Sequence, residues 1–298
     1  MTELFAGDLH AGLSDLEMGD DFLDLGEGVS LRKTYAHLMA PFIMAFNPAF
    51  PGQPHPAPWK AGRGGFTFGI IVDLAIPAAL EATYGGKVAL AKTIVFLLRI
   101  GVNPAARVPV LSNYPFADLA KIPDNEAALL AFEIHYRHFS LAVDGGVANH
   151  GSAEWVKSRW QTTHKLIGEN AEFALAVDAI STGQFVNSSA LTLVSLWGAL
   201  EALSSPSTTE LKFRVSSLIA AFLEPFGNSR GILQKEIAKL YDKRSAAAHG
   251  KPKHDEEDLL GSFNLLRRVL MTIIDNKKIP SREDLEDALF GSLGKPGD

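Results

Sequence analysis

From Phe66 to Ile76 the apolar residues Phe66, Phe68, Ile70, Val72, Leu74 and Ile76 fall on every second position, which places them on one face of a strand. A second alternation, Leu130, Phe132, Ile134 and Tyr136, turns Glu133, His135 and Arg137 the other way and predicts a half-buried strand. Between them, Thr93 to Val102 and Val108 to Leu111 read as further strands. After Ser152 the period changes from two to about 3.6. One long helix is predicted from Ala153 to Ile180. A second opens on Asn187 as N-cap and carries Leu191, Val194, Trp197 and Leu200, with Leu193, Leu196 and Leu203 on its remaining sides. Such a helix, apolar nearly all round, belongs at the centre of a bundle.

Ser207 and Glu210 have capping-box spacing ahead of the seam Leu211, Val215, Leu218, Ile219 and Phe222, and Pro225 and Gly227 end that helix. The next starts at Asn228 or Ser229, bears the stripe Leu233, Ile237, Leu240 and Tyr241, and is stopped by Gly250 and Pro252. A fifth carries Leu259, Phe263, Leu266, Leu270 and Ile273, and Gly291 to Asp298 reads as a polar tail.

The two periodicities imply an α+β protein with two domains. Residues 1–145 form a sheet-rich domain of unknown type with long loops, because Pro48, Pro51, Pro54, Pro56 and Pro58 around Trp59 interrupt any regular element. Asp144-Gly145-Gly146 and Asn149-His150-Gly151-Ser152 mark the boundary, and 153–290 is all helical. A chain of 298 residues, 47% of them hydrophobic, is long enough for both cores.

Charge and composition narrow the function classes. A formal net charge of -6 argues against coating nucleic acid by overall charge, so any RNA contact must be local. With no cysteine, disulfides and thiolate zinc sites are excluded and no oxidising compartment is indicated. Glu3, Asp8 and Asp15 stand where a signal peptide would show basic residues, and no apolar run reaches spanning length. The expectation is a cytoplasmic protein with no membrane partner.

Continuing the stripe of Ile237, Leu240 and Tyr241 by helical steps lands on Arg244 and Ala248, so an arginine occupies the core-facing seam. Glu201 falls on the face of Val194 and Trp197 in the most apolar helix. Buried charges persist when paired or functional, which makes Glu201 and either Arg244 or Arg214 expected partners. His249 lies in the last helical turn, where the partial negative charge favours a protonated imidazole able to act as a general acid. Ala246, Ala247 and Ala248 leave room for close approach, and Lys251, Lys253 and His254 add the local positive charge a phosphate backbone needs.

The order Leu196-Trp197-Gly198-Ala199-Leu200-Glu201-Ala202-Leu203, Leu211-Lys212-Phe213-Arg214, Leu240-Tyr241-Asp242-Lys243-Arg244-Ser245 and His249-Gly250 resembles the Apea-like branch of the HEPN superfamily. The resemblance covers residues 153 to 276 and is strongest from Tyr241 to Gly250. It implies an all-α HEPN bundle, a homodimer in which two Arg-x4-6-His motifs face one cleft, and endoribonuclease activity of the toxin or antiviral-defence kind. By this resemblance Arg244 stabilises charge developing on the phosphate and His249 transfers a proton as the ribose 2'-hydroxyl attacks, with no metal or cofactor. Glu201, Tyr241, Ser245 and Arg214 are then supporting residues, and Lys251 and Lys253 contact RNA. Many catalytic members place Asn, Asp or His directly after the arginine, where this chain has Ser245, which cannot titrate. In the endoribonuclease reading the N-terminal domain recognises a trigger ligand or protein, or the substrate; the alternative is a non-catalytic module that binds RNA, nucleotide or a partner protein.

Other patterns are read more plainly. A strand would put His135 and His138 on opposite faces, which disfavours a metal site. Gly62-Arg63-Gly64-Gly65 precedes a strand and lacks the Lys-Ser/Thr of a P-loop, so it reads as a turn. The groups Arg32, Lys33, Tyr35, His37 and Arg99, Asn103, Arg107 read as solvated surface.

Overall fold

The computed structural model describes residues 3–141, 146–204, 210–251 and 253–291. It has one antiparallel six-stranded sheet in the N-terminal region, followed by helices. The strands are β1 (Leu9–Ser14), β2 (Phe22–Asp24), β3 (Ser30–Ala45), β4 (Trp59–Ile76), β5 (Arg107–Ser112) and β6 (Leu129–Ala131), in the order β2-β3-β4-β1-β5-β6. Ile70, Val72, Leu74 and Ile76 of β4 are buried, as their alternation requires, and β5 covers the strand expected at Val108 to Leu111.

Thr93 to Val102 is not a strand. It belongs to helix α1 (Tyr84–Gly101), in which Ile94 to Leu98 are buried at five consecutive positions. A run enclosed on every side carries no alternation, so periodicity alone does not separate a buried strand from a buried helix. The second alternation is shorter than expected. β6 stops at Ala131, although Phe132 and Glu133 still donate backbone hydrogen bonds to Pro109 and Val108 at 2.9 Å.

Chain contacts define two compact units. The first comprises 1–91, 106–134 and 146–153; the second comprises 92–105, 135–145 and 154–298, so the division falls within α1. Arg99 and Arg107, expected at the surface, are both buried. Arg107 lies over the Phe68 ring in the first unit, with the guanidinium carbon 5.3 Å from the ring centroid.

The helix expected from Ala153 to Ile180 is three: α2 (His150–Lys157), α3 (Trp160–Glu169) and α4 (Ala171–Thr182). Asn170 breaks the run by taking extended backbone and accepting a 2.9 Å hydrogen bond from the Phe173 amide, the geometry of an N-cap. α5 (Ser189–Ser204) starts two residues past Asn187, with the Ser188 hydroxyl accepting from the Leu191 amide. It packs on α4, α6 (Leu211–Leu223), α7 (Asn228–Ala248) and α8 (Glu256–Asn276), the central place its all-round apolar character predicts. Of the α6 capping box, Ser207 lies outside the described residues and Glu210 makes no side-chain cap. Asp144, Gly145, Pro252 and the tail beyond Gly291 also lie outside them. A further helix, α9 (Arg282–Phe290), has a complete Ser281–Asp284 capping box that the apolar periodicity does not reveal.

Candidate functional site

The seam position of Arg244 follows from α7 itself: Ile237 and Tyr241 are its buried residues, and Arg244 is the next residue on that face. On α5, Glu201 follows Trp197 by one turn. The two residues meet across the helices, with Arg244 Nη2 donating to Glu201 Oε2 at 2.9 Å. Their side chains are 21% and 19% exposed, so the pair is neither solvated nor sealed. Of the two arginines expected as partners of Glu201, Arg244 makes the ion pair; Arg214 on α6 has its Nε buried without a hydrogen bond.

Trp197 organises the surroundings. Its ring meets Tyr241 edge-on at a centroid distance of 5.2 Å, and its Nε1 donates to Ser262 Oγ on α8 at 3.0 Å. The Arg244 guanidinium carbon in turn lies 5.4 Å from the Tyr241 ring centroid, a cation–π distance. Burial first, and then the negative charge of Glu201, push the Tyr241 phenol up to about 12, against the opposing charge of Arg244. Two further atoms of this cluster, Glu201 Oε1 and Arg244 Nε, are buried without hydrogen-bond partners. The arginine is therefore fixed by one of its donors while part of its hydrogen-bonding capacity is unused.

His249 is the C-cap of α7 and is exposed. The chain turns there: the amides of His249, Gly250 and Lys251 donate to the carbonyls of Ser245, Ala247 and Ala246 at 3.0–3.2 Å. Gly250 has φ +70°, the left-handed conformation that closes a helix most easily at glycine. Lys251 and Lys253 are exposed beside it. His254 is not part of that solvated group, since its Nε2 lies 2.9 Å from Ser189 Oγ at the start of α5.

Residues that interrupt no apolar stripe brace this end of α7. Lys243 Nζ reaches Asp258 Oδ2 at 2.7 Å and the Lys253 carbonyl at 3.2 Å. The Asp258 hydrogen bond holds the ammonium above its usual range. Asp258 also closes the capping box with Asp255 that begins α8. The Asp255-x-x-Asp258 spacing was the available signal. Ser262, one turn further along α8, breaks an apolar stripe and marks the partner of Trp197.

The first unit holds a buried cluster of its own that no motif announces. His10 Nδ1 lies 3.0 Å from Asp73 Oδ1, and Asp73 Oδ2 accepts from the Phe116 amide at 3.1 Å. The fully buried Lys87 donates to the carbonyls of Phe5 and Gly7 at 2.6 and 2.5 Å. Among the described residues, no three His, Asp or Glu side chains are grouped to hold a metal ion, and no helix is long and apolar enough to cross a membrane.

Comparison of the chain with family models, with curated proteins and with solved structures yields no match.

Proposed function

We propose that the chain is a metal-independent endoribonuclease of the HEPN type, acting as a homodimer in which the α7 ends of two copies form one cleft. The observation that supports this most directly is the pairing of a part-exposed, internally anchored Arg244 with an exposed His249 on the same helix. The attacking ribose 2'-hydroxyl forms a bond to phosphorus as the bond to the 5'-oxygen breaks, leaving a cyclic phosphate and a 5'-hydroxyl. Arg244 is suited to the negative charge that gathers on the non-bridging oxygens, because Glu201 fixes its orientation before substrate arrives. His249 moves the proton at the 2'-hydroxyl or the departing oxygen. Lys251 and Lys253 supply sequence-independent phosphate contacts. The toxin or defence role follows from the family resemblance described above, as does the dimer.

The test is cleavage of single-stranded RNA by the full chain in EDTA. Wild type is expected to cut, and Arg244→Ala and His249→Ala to lose activity by about a hundredfold or more. Because His249 is exposed, its alanine variant should keep the wild-type melting temperature. Growth arrest on expression, relieved by His249→Ala, is the expected cellular counterpart. Intact RNA with folded wild-type protein would overturn the reading.

One observation favours the second reading, a non-catalytic module for RNA, nucleotide or a partner protein. Arg244 pairs with Glu201 and lies over the Tyr241 ring, which is sufficient work for a structural arginine. In that case His249→Ala and wild type behave alike in both assays.

A further inference from the structure

The β3–β4 hairpin outgrows its sheet. β1 pairs only with Val72 to Ile76 of β4, and β2 only with Ser30 to Arg32 of β3. From Ala36↔Ile70 to Ala45↔Trp59 the two strands pair with each other and, among the described residues, with no other strand. The base of this ribbon is covered, since Leu38 and Phe68 pack with Ile70, Val110 and Phe116. Beyond it, Met39, Phe42, Ile43, Met44, Phe46 and Trp59 are 58–71% exposed. Consecutive residues of a strand face opposite ways, so Phe42, Ile43 and Met44 leave neither face of the ribbon covered.

The tip is ordered. Asn47 Nδ2 donates to the Ala57 carbonyl at 2.8 Å, the His55 ring contacts the Asn47 carbonyl at 3.0 Å, and the Trp59 indole donates to His55 and Pro56. Gly65 allows the strands to close, because a Cβ there would stand 2.2 Å from the Ala40 carbonyl oxygen. An apolar surface is thus held out in a fixed shape.

We propose that this ribbon docks on an anionic lipid surface, entering it at headgroup depth. Three features select that occupant. Side chains exposed on both faces call for a medium that surrounds the ribbon, whereas a flat protein surface covers one face. The charge is complementary: between Glu27 and Asp73 there is no acidic residue, while Lys60 and Arg63 flank Trp59 and the tip, in a chain whose net charge is -6. The five prolines between Asn47 and Trp59 have no N–H, which lowers the cost of placing a loop where water is scarce. The absence of a spanning helix among the described residues does not bear on this contact, because the docking element is a strand pair. The proposal replaces the expectation from sequence that the chain has no membrane partner, and it does not depend on RNA cleavage.

The experiment is flotation of the full chain with vesicles of phosphatidylglycerol mixed with phosphatidylcholine, and with phosphatidylcholine alone. Wild type is expected to float with the anionic vesicles and weakly with the neutral ones. A variant carrying Phe42→Ser, Ile43→Ser, Met44→Ser and Trp59→Ser should stay in the soluble fraction, and Lys60→Gln with Arg63→Gln should lower partitioning by roughly tenfold. These side chains lie outside the core, so both variants should melt as wild type does; the charge variant keeps the test decisive if the apolar one does not fold. Trp59 emission should shift to the blue on vesicle binding, and Trp59→Phe should abolish the shift. Wild type that does not float, or variants that float equally, would overturn the proposal. So would a ribbon whose substitution changes only the mass of the protein in solution, which marks a contact between copies, or only its retention of single-stranded RNA.

Discussion

The His10–Asp73 pair of the first unit and the Glu201–Arg244 pair of the second are held differently. In the first, the side chains of His10 and Asp73 are 8% and 6% exposed, and Lys87 is fully enclosed with its ammonium on two backbone carbonyls. Asp73 holds both a ring nitrogen and the Phe116 amide, so both carboxylate oxygens are engaged. In the second, Glu201 and Arg244 are about one-fifth exposed, and each retains a buried atom with no hydrogen bond. With both oxygens of the sealed Asp73 carboxylate engaged, the folded state is spared the desolvation cost that an unmatched oxygen would carry. A pair at the margin of a bundle tolerates incomplete matching. The first arrangement holds a fold together, and the second leaves hydrogen-bonding capacity on the helix that His249 caps.

The comparison breaks first on stability. Asp73→Ala strands the His10 ring and the Phe116 amide inside the sheet and is expected to destabilise by about 3 kcal/mol. Glu201→Ala, with water able to reach the remaining arginine, is expected to destabilise less, by about 1–2 kcal/mol. Chemical denaturation of the two variants checks the order. Equal losses, or the reverse, would mean that the Glu201 pair is as closed as the sheet pair and that Arg244 is structural. A double-mutant cycle over Glu201→Ala and Arg244→Ala sharpens the same point, with an expected coupling of about 1 kcal/mol.

How far the sequence revealed these two sites differs for a physical reason. Arg244 and Glu201 interrupt long apolar stripes, and a helix shows such an interruption at a regular spacing, so the pair was legible, with Arg214 as the competing partner. His10 and Lys87 stand in no stripe. β1 is buried at all six positions and α1 at nearly every position of its second half, so neither displays the contrast between faces on which periodicity depends. The same lack of contrast made Thr93 to Val102 read as a strand. The ribbon is hidden for the opposite reason: an alternating strand is expected to bury one face, and β3 and β4 beyond Ala40 and Phe66 bury none. Gly62 to Gly65, expected as a turn, lies within β4, where φ values of +115° and +116° at Gly64 and Gly65 mark an irregular strand.

The smallest effect isolates the electrostatics of the second site. The folded protein holds the Tyr241 phenol protonated up to about 12, whereas in the unfolded chain it ionises near 10.0. Between those values the unfolded state has released a proton that the folded state keeps. Unfolding is then favoured by rising pH, so this contribution to stability is complete below about 10 and is lost as pH rises through about 12. Tyr241→Phe removes the titrating group while keeping the ring against Trp197 and Arg244. The variant should therefore match wild type near neutral pH and lose less stability in the alkaline range. The late-ionising tyrosinate should also vanish from its ultraviolet titration. Glu201→Gln separates the causes. With the negative charge gone and burial retained, the Tyr241 titration should move part of the way towards 10.0, because burial is the larger influence. A titration unmoved by Glu201→Gln would mean that the carboxylate does not act on the phenol, and the network around Arg244 would then reduce to packing.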